Sequence, residues 1–172
     1  LVEERILSRG QRCFFVSDLH GHLDRYRTLF AAVADERPDV VLLGGDLLPG
    51  AYDRRWAAGR TAPDFIEDYL AVELARLADA LGPAYPRVLV ILGNDDPRAH
   101  EASVRQAETR GVWTYVHDRR VDVGDVAVYG YSFVPPTPFA LKDWERYDVS
   151  RFVDPGCLSP EEGVRSVPVP DL

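Results

Sequence analysis

The sequence predicts an α/β domain built on parallel strands, because three apolar runs alternate with segments of helical spacing. The runs are residues 12–17, 40–43 and 87–92, and each ends directly in polar residues that can bind a metal ion. A strand–helix–strand order of this kind is typical of a parallel sheet with its helices packed on it. A chain of 172 residues is long enough for one domain with a sizeable core, and we predict a single domain over residues 1–172.

The helices follow from the spacing of apolar residues. The first helix is predicted over residues 23–33, where apolar residues recur every three or four positions. A longer helix is predicted over residues 64–80, where a Gly-Pro pair ends it, and a third over residues 97–109, which begins at a proline. Residues 47–63 have Gly and Pro but no clean period, so we interpret them as a loop or lid.

The pattern changes after residue 111, where short strands replace helices. Strands are predicted over residues 112–116, 121–123 and 126–131, and Gly124-Asp125 supplies a tight hairpin turn between the last two. Seven of the 13 prolines lie in the last 38 residues, so we predict an irregular, proline-rich arm over residues 133–172. This arm is a surface segment, an excursion over the active site or the edge of a truncated chain.

Two segments have two interpretations each. Residues 142–147 mix charged and aromatic residues, which is typical of a short amphipathic helix that packs Trp144 and Tyr147 onto the core. The alternative is that they line a specificity pocket. Arg54-Arg55 and Arg60 lie in the predicted lid and either contact a phosphate or belong to a solvated loop.

Charge and cysteine content exclude several classes of protein. Acidic residues outnumber basic ones by 28 to 20, and a net charge of −8 argues against general nucleic-acid binding or an anionic membrane surface. An anionic substrate stays open, because bound cations can reverse the local field. No apolar run reaches the roughly 18 residues of a membrane span, and no signal-peptide pattern opens the chain. Cys13 and Cys157 are isolated in sequence, so a disulfide framework is unexpected and a reducing cytoplasm is the simplest setting.

Side chains that bind metals follow each of the three apolar strands. Asp18 and His20 come after the first strand, Asp46 after the second, and Asn94 after the third. The carboxyl ends of parallel strands meet at one edge of a sheet, so these side chains are expected to lie together. Two carboxylates, an imidazole and an amide oxygen suit Mn²⁺, Fe²⁺ or Zn²⁺. Each turn alone is also ordinary turn or helix-cap chemistry, but three such turns in succession favour a metal site.

Three motifs resemble the first signature motifs of the calcineurin-like metallophosphoesterases. They are Asp18-x-His20, Gly45-Asp46 and Gly93-Asn94, in that order, and the resemblance extends over residues 12–131. It implies a metallophosphoesterase-like β-sandwich flanked by helices. It also implies a hydrolase of phosphate mono- or diesters, whose hydroxide is activated on two divalent cations and whose substrate is a small molecule or nucleotide.

The resemblance assigns a role to each ligand. Asp18 and His20 are expected to hold the first metal ion, Asp46 to bridge the two ions, and Asn94 to bind the second. The ions implied are manganese, iron or zinc.

One departure from the family pattern concerns the residue that follows Asn94. The family usually has a histidine there that assists the leaving group, whereas this chain has Asp95. A carboxylate beside cations is a poor general acid, so Asp95 is either a catalytic residue of a variant site or a structural one. His22 is the second catalytic candidate, as a phosphate contact, with a solvated helix start as its alternative. His100 and His117 are expected to be ordinary surface histidines.

The second departure is that the family's later motifs are missing. No histidine follows His117, and no Gly-His-x-His turn is present. We expect that this chain is the N-terminal part of a longer phosphoesterase domain and binds metal weakly or not at all by itself. The alternative is a catalytically inactive scaffold of the same fold that binds proteins.

Overall fold

The computed structural model describes residues 10–50 and 64–166, which form a parallel sheet, a β-hairpin and flanking helices. The strands are β1 (Cys13–Val16), β2 (Val40–Gly44), β3 (Arg87–Ile91), β4 (Thr114–Tyr115), β5 (Arg119–Val123) and β6 (Val126–Gly130). The helices are α1 (Leu23–Glu36), α2 (Ala71–Leu81) and α3 (Glu101–Glu108). A π-helical turn (Ile66–Leu70) leads into α2, and a 3₁₀ turn (Arg98–His100) leads into α3. This alternation of strands and helices confirms the predicted α/β class.

The sheet has the order β1-β2-β3-β4, and all its neighbouring strands are parallel. Val16 is paired with Leu43, and Gly44 is paired with Ile91, so the first three strands end at the same level. The loops that follow these strands therefore emerge side by side at one edge of the sheet. This register confirms the parallel arrangement on which the predicted site depends.

The helices cover one face of the sheet. Alternate residues of β2 and β3 point to this face, as the two-residue period of a strand requires. Apolar side chains from the helices pack against them and are almost completely removed from water. The buried cluster includes Tyr26, Val33, Val41, Leu43, Leu74, Val88, Val90, Val104 and Ala107. Burying side chains of this size stabilises the fold by roughly 1.5–3 kcal/mol each.

The hairpin of β5 and β6 covers the other face of the sheet. Val40 of β2 and Leu89 of β3 form a second buried cluster with Val116 and Val123. Partly buried residues of both layers pack against it, namely Leu42, Ile91, Val121 and Val128. The parallel sheet therefore lies between a helical layer and a second β layer. The Gly124-Asp125 turn joins β5 to β6, as predicted.

All three helices differ at their boundaries from the predicted ones. The second opens with the π-helical turn (Ile66–Leu70) and continues as α2 to Leu81. The first helix continues to Glu36, because the following residue, Arg37, takes a left-handed conformation (φ 47°) and its N–H caps the helix on the carbonyl of Val33. The third helix is shorter than residues 97–109. Pro97 is extended, and the residues after it form the 3₁₀ turn before α3 begins.

The prediction of an amphipathic helix over residues 142–147 is wrong. The Lys142 N–H donates to the carbonyl of Val164, and the carbonyl of Trp144 accepts from the Val134 N–H. Within the segment, the Glu145 N–H donates to the carbonyl of Lys142 at 3.4 Å, which makes a turn and not a helix. Trp144 is fully buried in the core, as expected, whereas Tyr147 stays partly exposed. The division into one domain with an arm over residues 133–172 stays a prediction.

A buried ion pair holds this irregular segment together. The Lys142 ammonium lies 2.6 Å from a carboxylate oxygen of Glu145, and both side chains are completely buried. The same carboxylate accepts from the backbone N–H of Thr137 at 2.8 Å, so its charge has a second partner. Charges removed from water in this way must be paired and hydrogen-bonded.

The length and composition of the described helices show whether any of them could cross a membrane. Within residues 10–50 and 64–166, none combines the length and the apolar character that crossing a bilayer requires.

Candidate metal centre

Three predicted metal ligands meet where the strands end. One ligand atom each of Asp18, His20 and Asp46 lies within 4.8 Å of the other two. The Nε2 atom of His20 lies 3.8 Å from Oδ1 of Asp18. Asp18 and His20 come from the loop after β1 and Asp46 from the loop after β2. The structure thus brings together side chains that are 28 positions apart in the chain.

The backbone at these three residues is strained. Asp18, His20 and Asp46 have φ values of 59°, 46° and 54°. These values lie in the left-handed region, which residues other than glycine rarely adopt. Each such residue costs about 1–3 kcal/mol, and strain of this kind concentrates at functional sites. Bonds between the two loops hold the conformation. The Asp18 N–H donates to Gly45 at 3.2 Å and the His20 N–H donates to Asp46 at 2.8 Å.

Two glycines allow the loops after β2 and β3 to touch. A Cβ added to Gly45 would lie 2.6 Å from the Cα of Gly93. A Cβ added to Gly93 would overlap the backbone nitrogen and Oδ1 of Asp46. The glycines of the Gly-Asp and Gly-Asn motifs are therefore required for close backbone approach, and they place the third loop against Asp46.

Negative charge accumulates around Asp46. Its partial burial raises the pKa of the carboxyl group above the usual value, and the nearby carboxylates of Asp18 and Asp95 raise it further. The Asp95 N–H and the His20 imidazole act in the opposite direction. A bound divalent cation would remove this electrostatic penalty. The site is open to solvent, since 66% of the Asp18 side chain is exposed.

Asp95 contacts two of the three ligands. Its carboxylate oxygen Oδ2 lies 3.3 Å from Nδ1 of His20, the ring nitrogen on the side away from Nε2. Its backbone N–H donates to Oδ1 of Asp46 at 2.8 Å. Asp95 is therefore in contact with two of the three predicted ligands, and its role stays a prediction.

Asn94 and His22 lie next to the site in sequence, and their roles stay predictions. Asn94 is partly buried in the turn between Gly93 and Asp95, after β3. His22 is the N-cap residue of α1, and its side chain makes no capping hydrogen bond. Its carbonyl accepts from the N–H of Arg25, the first turn of the helix.

Asp96 is a residue that the sequence analysis missed. Its carboxylate is fully buried and accepts the backbone N–H groups of Leu47, Leu48 and Gly93 at 2.8–3.1 Å. Burial raises the pKa of Asp96 to about 6, although the three N–H donors lower it. Asp96 thus joins the loop that follows Asp46 to the loop that carries Asn94. Locally, an Asp before a proline is typical of a helix cap, and only the fold reveals partners almost 50 positions away.

The expectation of a surface His117 is wrong. Only 7% of its surface is exposed, and its Nδ1 accepts the backbone N–H of Ser132 at 3.0 Å. Its ring packs against Phe133 and Trp144, at centroid distances of 5.3 and 5.0 Å. The segment after β6 folds back over this histidine, which a local pattern cannot show. His100 lies at the end of the 3₁₀ turn and is partly exposed.

The remaining sequence candidates lie away from the ligands or outside the described residues. Arg146 and Tyr147 line a shallow cleft of about 100 Å³ together with Phe133, so the pocket interpretation of this segment keeps support. Arg54-Arg55 and Arg60 lie outside the described residues, as does most of the predicted lid.

One comparison with known proteins agrees with the motifs. The family model for calcineurin-like phosphoesterases matches residues 12–155. No curated protein matches the chain significantly. Solved structures match as well. One of them is 21% identical, and the match covers 70% of this chain and 52% of the solved chain with a TM-score of 0.46. The chain therefore spans about half the length of that solved structure.

Proposed function

This chain belongs to the calcineurin-like phosphoesterases, and we propose that it hydrolyses phosphate mono- or diesters of small molecules or nucleotides with two divalent metal ions. The observation that carries the proposal is the convergence of Asp18, His20 and Asp46 within 4.8 Å of one another. Turn chemistry alone does not require three strained residues with ligand side chains at one point.

The donor set fits divalent cations of mixed oxygen and nitrogen preference, such as manganese, iron or zinc. We assign Asp18 and His20 to the first ion, Asp46 to a position between both ions, and Asn94 to the second. When bound, such a pair of ions activates water and neutralises the charge on the phosphoryl oxygens. A cation bound there would stabilise the ionised form of Asp46, whose pKa burial raises.

The side chains of the site bind and orient rather than react. The Asp95 N–H donates a hydrogen bond to Oδ1 of Asp46, so Oδ2 of the same carboxylate stays available to a metal ion. The Asp18 side chain is largely exposed to solvent, so a phosphate ester can reach the site from that side. His22 lies at the N-terminus of α1, where a phosphoryl group is favoured by the helix dipole, and we assign it a contact with that group.

We also propose a cytoplasmic location without nucleic-acid or membrane partners. Cys13 and Cys157 are both free, which agrees with a reducing compartment. The net charge of −8 disfavours polyanionic surfaces.

The test is hydrolysis of a nitrophenyl phosphate monoester and diester by metal-stripped protein to which Mn²⁺, Fe²⁺ or Zn²⁺ is added back. We expect turnover only with metal, and Asp46→Asn should lower kcat/KM by at least about 100-fold, since even residues that contact ligands indirectly cost 10–100-fold. Asp79→Asn removes an equal charge from the exposed surface of α2 and should leave turnover unchanged.

Failure of turnover has a defined meaning. Metal binding by the full-length protein without hydrolysis of either ester would support the inactive scaffold instead. Turnover that survives Asp46→Asn would show that the reaction takes place elsewhere.

A further inference from the structure

We propose that Asp95 is a positioning residue, which fixes the ring of His20 with its carboxylate and the carboxylate of Asp46 with its backbone N–H. The inference rests on the proposed metal site and concerns the residue that departs from the family pattern. It replaces the alternative in which Asp95 donates a proton to the leaving group.

The geometry gives Asp95 two contacts with opposite ends of the site. Its Oδ2 lies 3.3 Å from Nδ1 of His20, slightly beyond an ordinary hydrogen bond. Its N–H donates to Oδ1 of Asp46 at 2.8 Å. One residue of the third loop therefore touches a ligand from the first loop and a ligand from the second.

The contact with His20 decides which ring nitrogen is free to bind a metal ion. A histidine ligand uses one nitrogen for the metal and donates the N–H of the other to a carboxylate or carbonyl, which fixes its tautomer. A carboxylate beside Nδ1 places the proton there and leaves Nε2 as the ligand. Nε2 is the nitrogen that faces Asp18, the partner expected on the same ion.

The exposure of the pair argues that the contact serves orientation rather than folding. The side chain of Asp95 is 49% exposed and that of His20 is 34% exposed. Solvent screens such pairs, and they contribute little to stability. A carboxylate oxygen that faces the ring nitrogen of His20 is placed to accept a hydrogen bond from that nitrogen, which is a positioning contact.

Two substitutions separate the parts of the proposal. Asp95→Ala removes the carboxylate but keeps the backbone N–H that binds Asp46. Asp95→Asn keeps an acceptor oxygen near Nδ1 and removes the charge. Asp79→Asn controls for the lost charge, because its side chain is exposed on α2.

The first measurement is the tautomer of His20 in the metal-free chain, from long-range ¹H–¹⁵N spectra of the imidazoles at about pH 8.5, above the ordinary pKa of histidine. With only four histidines, the ring signals can be assigned by substitution. We expect the proton on Nδ1 in the wild type and in Asp95→Asn, and a shift toward the Nε2 proton in Asp95→Ala. An unchanged tautomer in Asp95→Ala overturns the proposal.

The second measurement is the affinity for Mn²⁺ by titration calorimetry. Asp95→Ala should weaken binding about 10–100-fold at unchanged stoichiometry, and Asp95→Asn should weaken it less. Loss of one bound ion would make Asp95 a direct ligand, and unchanged affinity with lost hydrolysis would make it a general acid; either result overturns the proposal. A wild type that binds no Mn²⁺ bears on the proposed metal site and not on the role of Asp95, which the tautomer of His20 decides independently.

Discussion

At the scale of single residues, the site depends on backbone conformations that most side chains avoid. Five described residues other than glycine have a positive φ, and three of them are Asp18, His20 and Asp46. Their strain is held by bonds between loops rather than by local turn chemistry. The backbone that carries the two carboxyl groups and the imidazole is therefore in place before any ligand arrives, which reduces the entropy lost on binding.

Gly93 provides the most direct test of this close packing. We predict that Gly93→Ala displaces Asp46, because the new Cβ overlaps its nitrogen and Oδ1. Mn²⁺ affinity should fall about tenfold or more, as when the surroundings of a ligand are disturbed, and unfolding free energy should fall by about 1–3 kcal/mol. Titration calorimetry and urea denaturation measure the two effects.

Gly50→Ala is the matched control. A Cβ at Gly50 meets nothing within 4 Å, although the residue lies in the loop that follows Asp46. Its stability should change by less than about 0.5 kcal/mol. If Gly93→Ala bound Mn²⁺ as tightly as this control, the packing account of the third loop would be wrong.

Asp96 is predicted to stabilise the fold through its three N–H partners. Asp96→Ala leaves the buried N–H groups of Leu47, Leu48 and Gly93 without an acceptor, at about 1–3 kcal/mol each, so a total loss of about 3 kcal/mol or more is expected. Asp96→Asn keeps one acceptor oxygen and should lose about half as much. Urea denaturation of the three proteins measures both losses. A loss below about 1 kcal/mol in Asp96→Ala would contradict the assigned role.

At the scale of elements, the segment after β6 forms hydrogen bonds with the turn that follows the predicted ligand Asn94. The indole N–H of Trp144 donates to the carbonyl of Asp96 at 2.9 Å, and Asp143 accepts the backbone N–H of Arg98 at 2.7 Å. The segment thus fixes both ends of the turn that leads from Asp96 into the 3₁₀ turn before α3. The same indole covers the ring of His117, which connects this histidine to the stability of the segment.

His117 should make stability depend on pH. Burial lowers its pKa below the usual value, while Glu101 and Asp118 act in the opposite direction. A lowered pKa means that the unfolded state binds the proton more tightly. The stabilisation is therefore complete above the unfolded pKa of about 6.5 and is lost as pH falls below it. Protonation of Nδ1 also removes the acceptor of the Ser132 N–H.

The measurement is the unfolding free energy in urea between pH 5 and 7.5. Asp96, whose pKa of about 6 lies in the same range, titrates in both proteins, so the difference between them reports His117. The unfolding free energy of His117→Phe should rise relative to that of the wild type as pH falls toward 5. His100→Gln removes a partly exposed histidine and serves as the control for the loss of one imidazole. Equal slopes in the wild type and His117→Phe would contradict the assignment.

At the scale of the whole molecule, the sequence predicted what local patterns determine. Apolar runs identified β1, β2 and β3, and their parallel order was enough to expect Asp18, His20 and Asp46 at one edge. It did not reveal Asp96 or the burial of His117, because their partners are distant in sequence. The mixed charged and aromatic composition around Trp144 predicted a helix. It could not show that the backbone of this segment bonds to Val134 and to Val164, which lie outside it.

The most direct test is a crystal structure of the chain soaked with Mn²⁺, with anomalous differences measured at a wavelength where manganese scatters strongly. We expect a manganese peak at coordination distance from the side chains of Asp18, His20 and Asp46, with Nε2 of His20 turned toward it. A manganese peak bound by other residues, with these three side chains left without metal, would contradict this expectation.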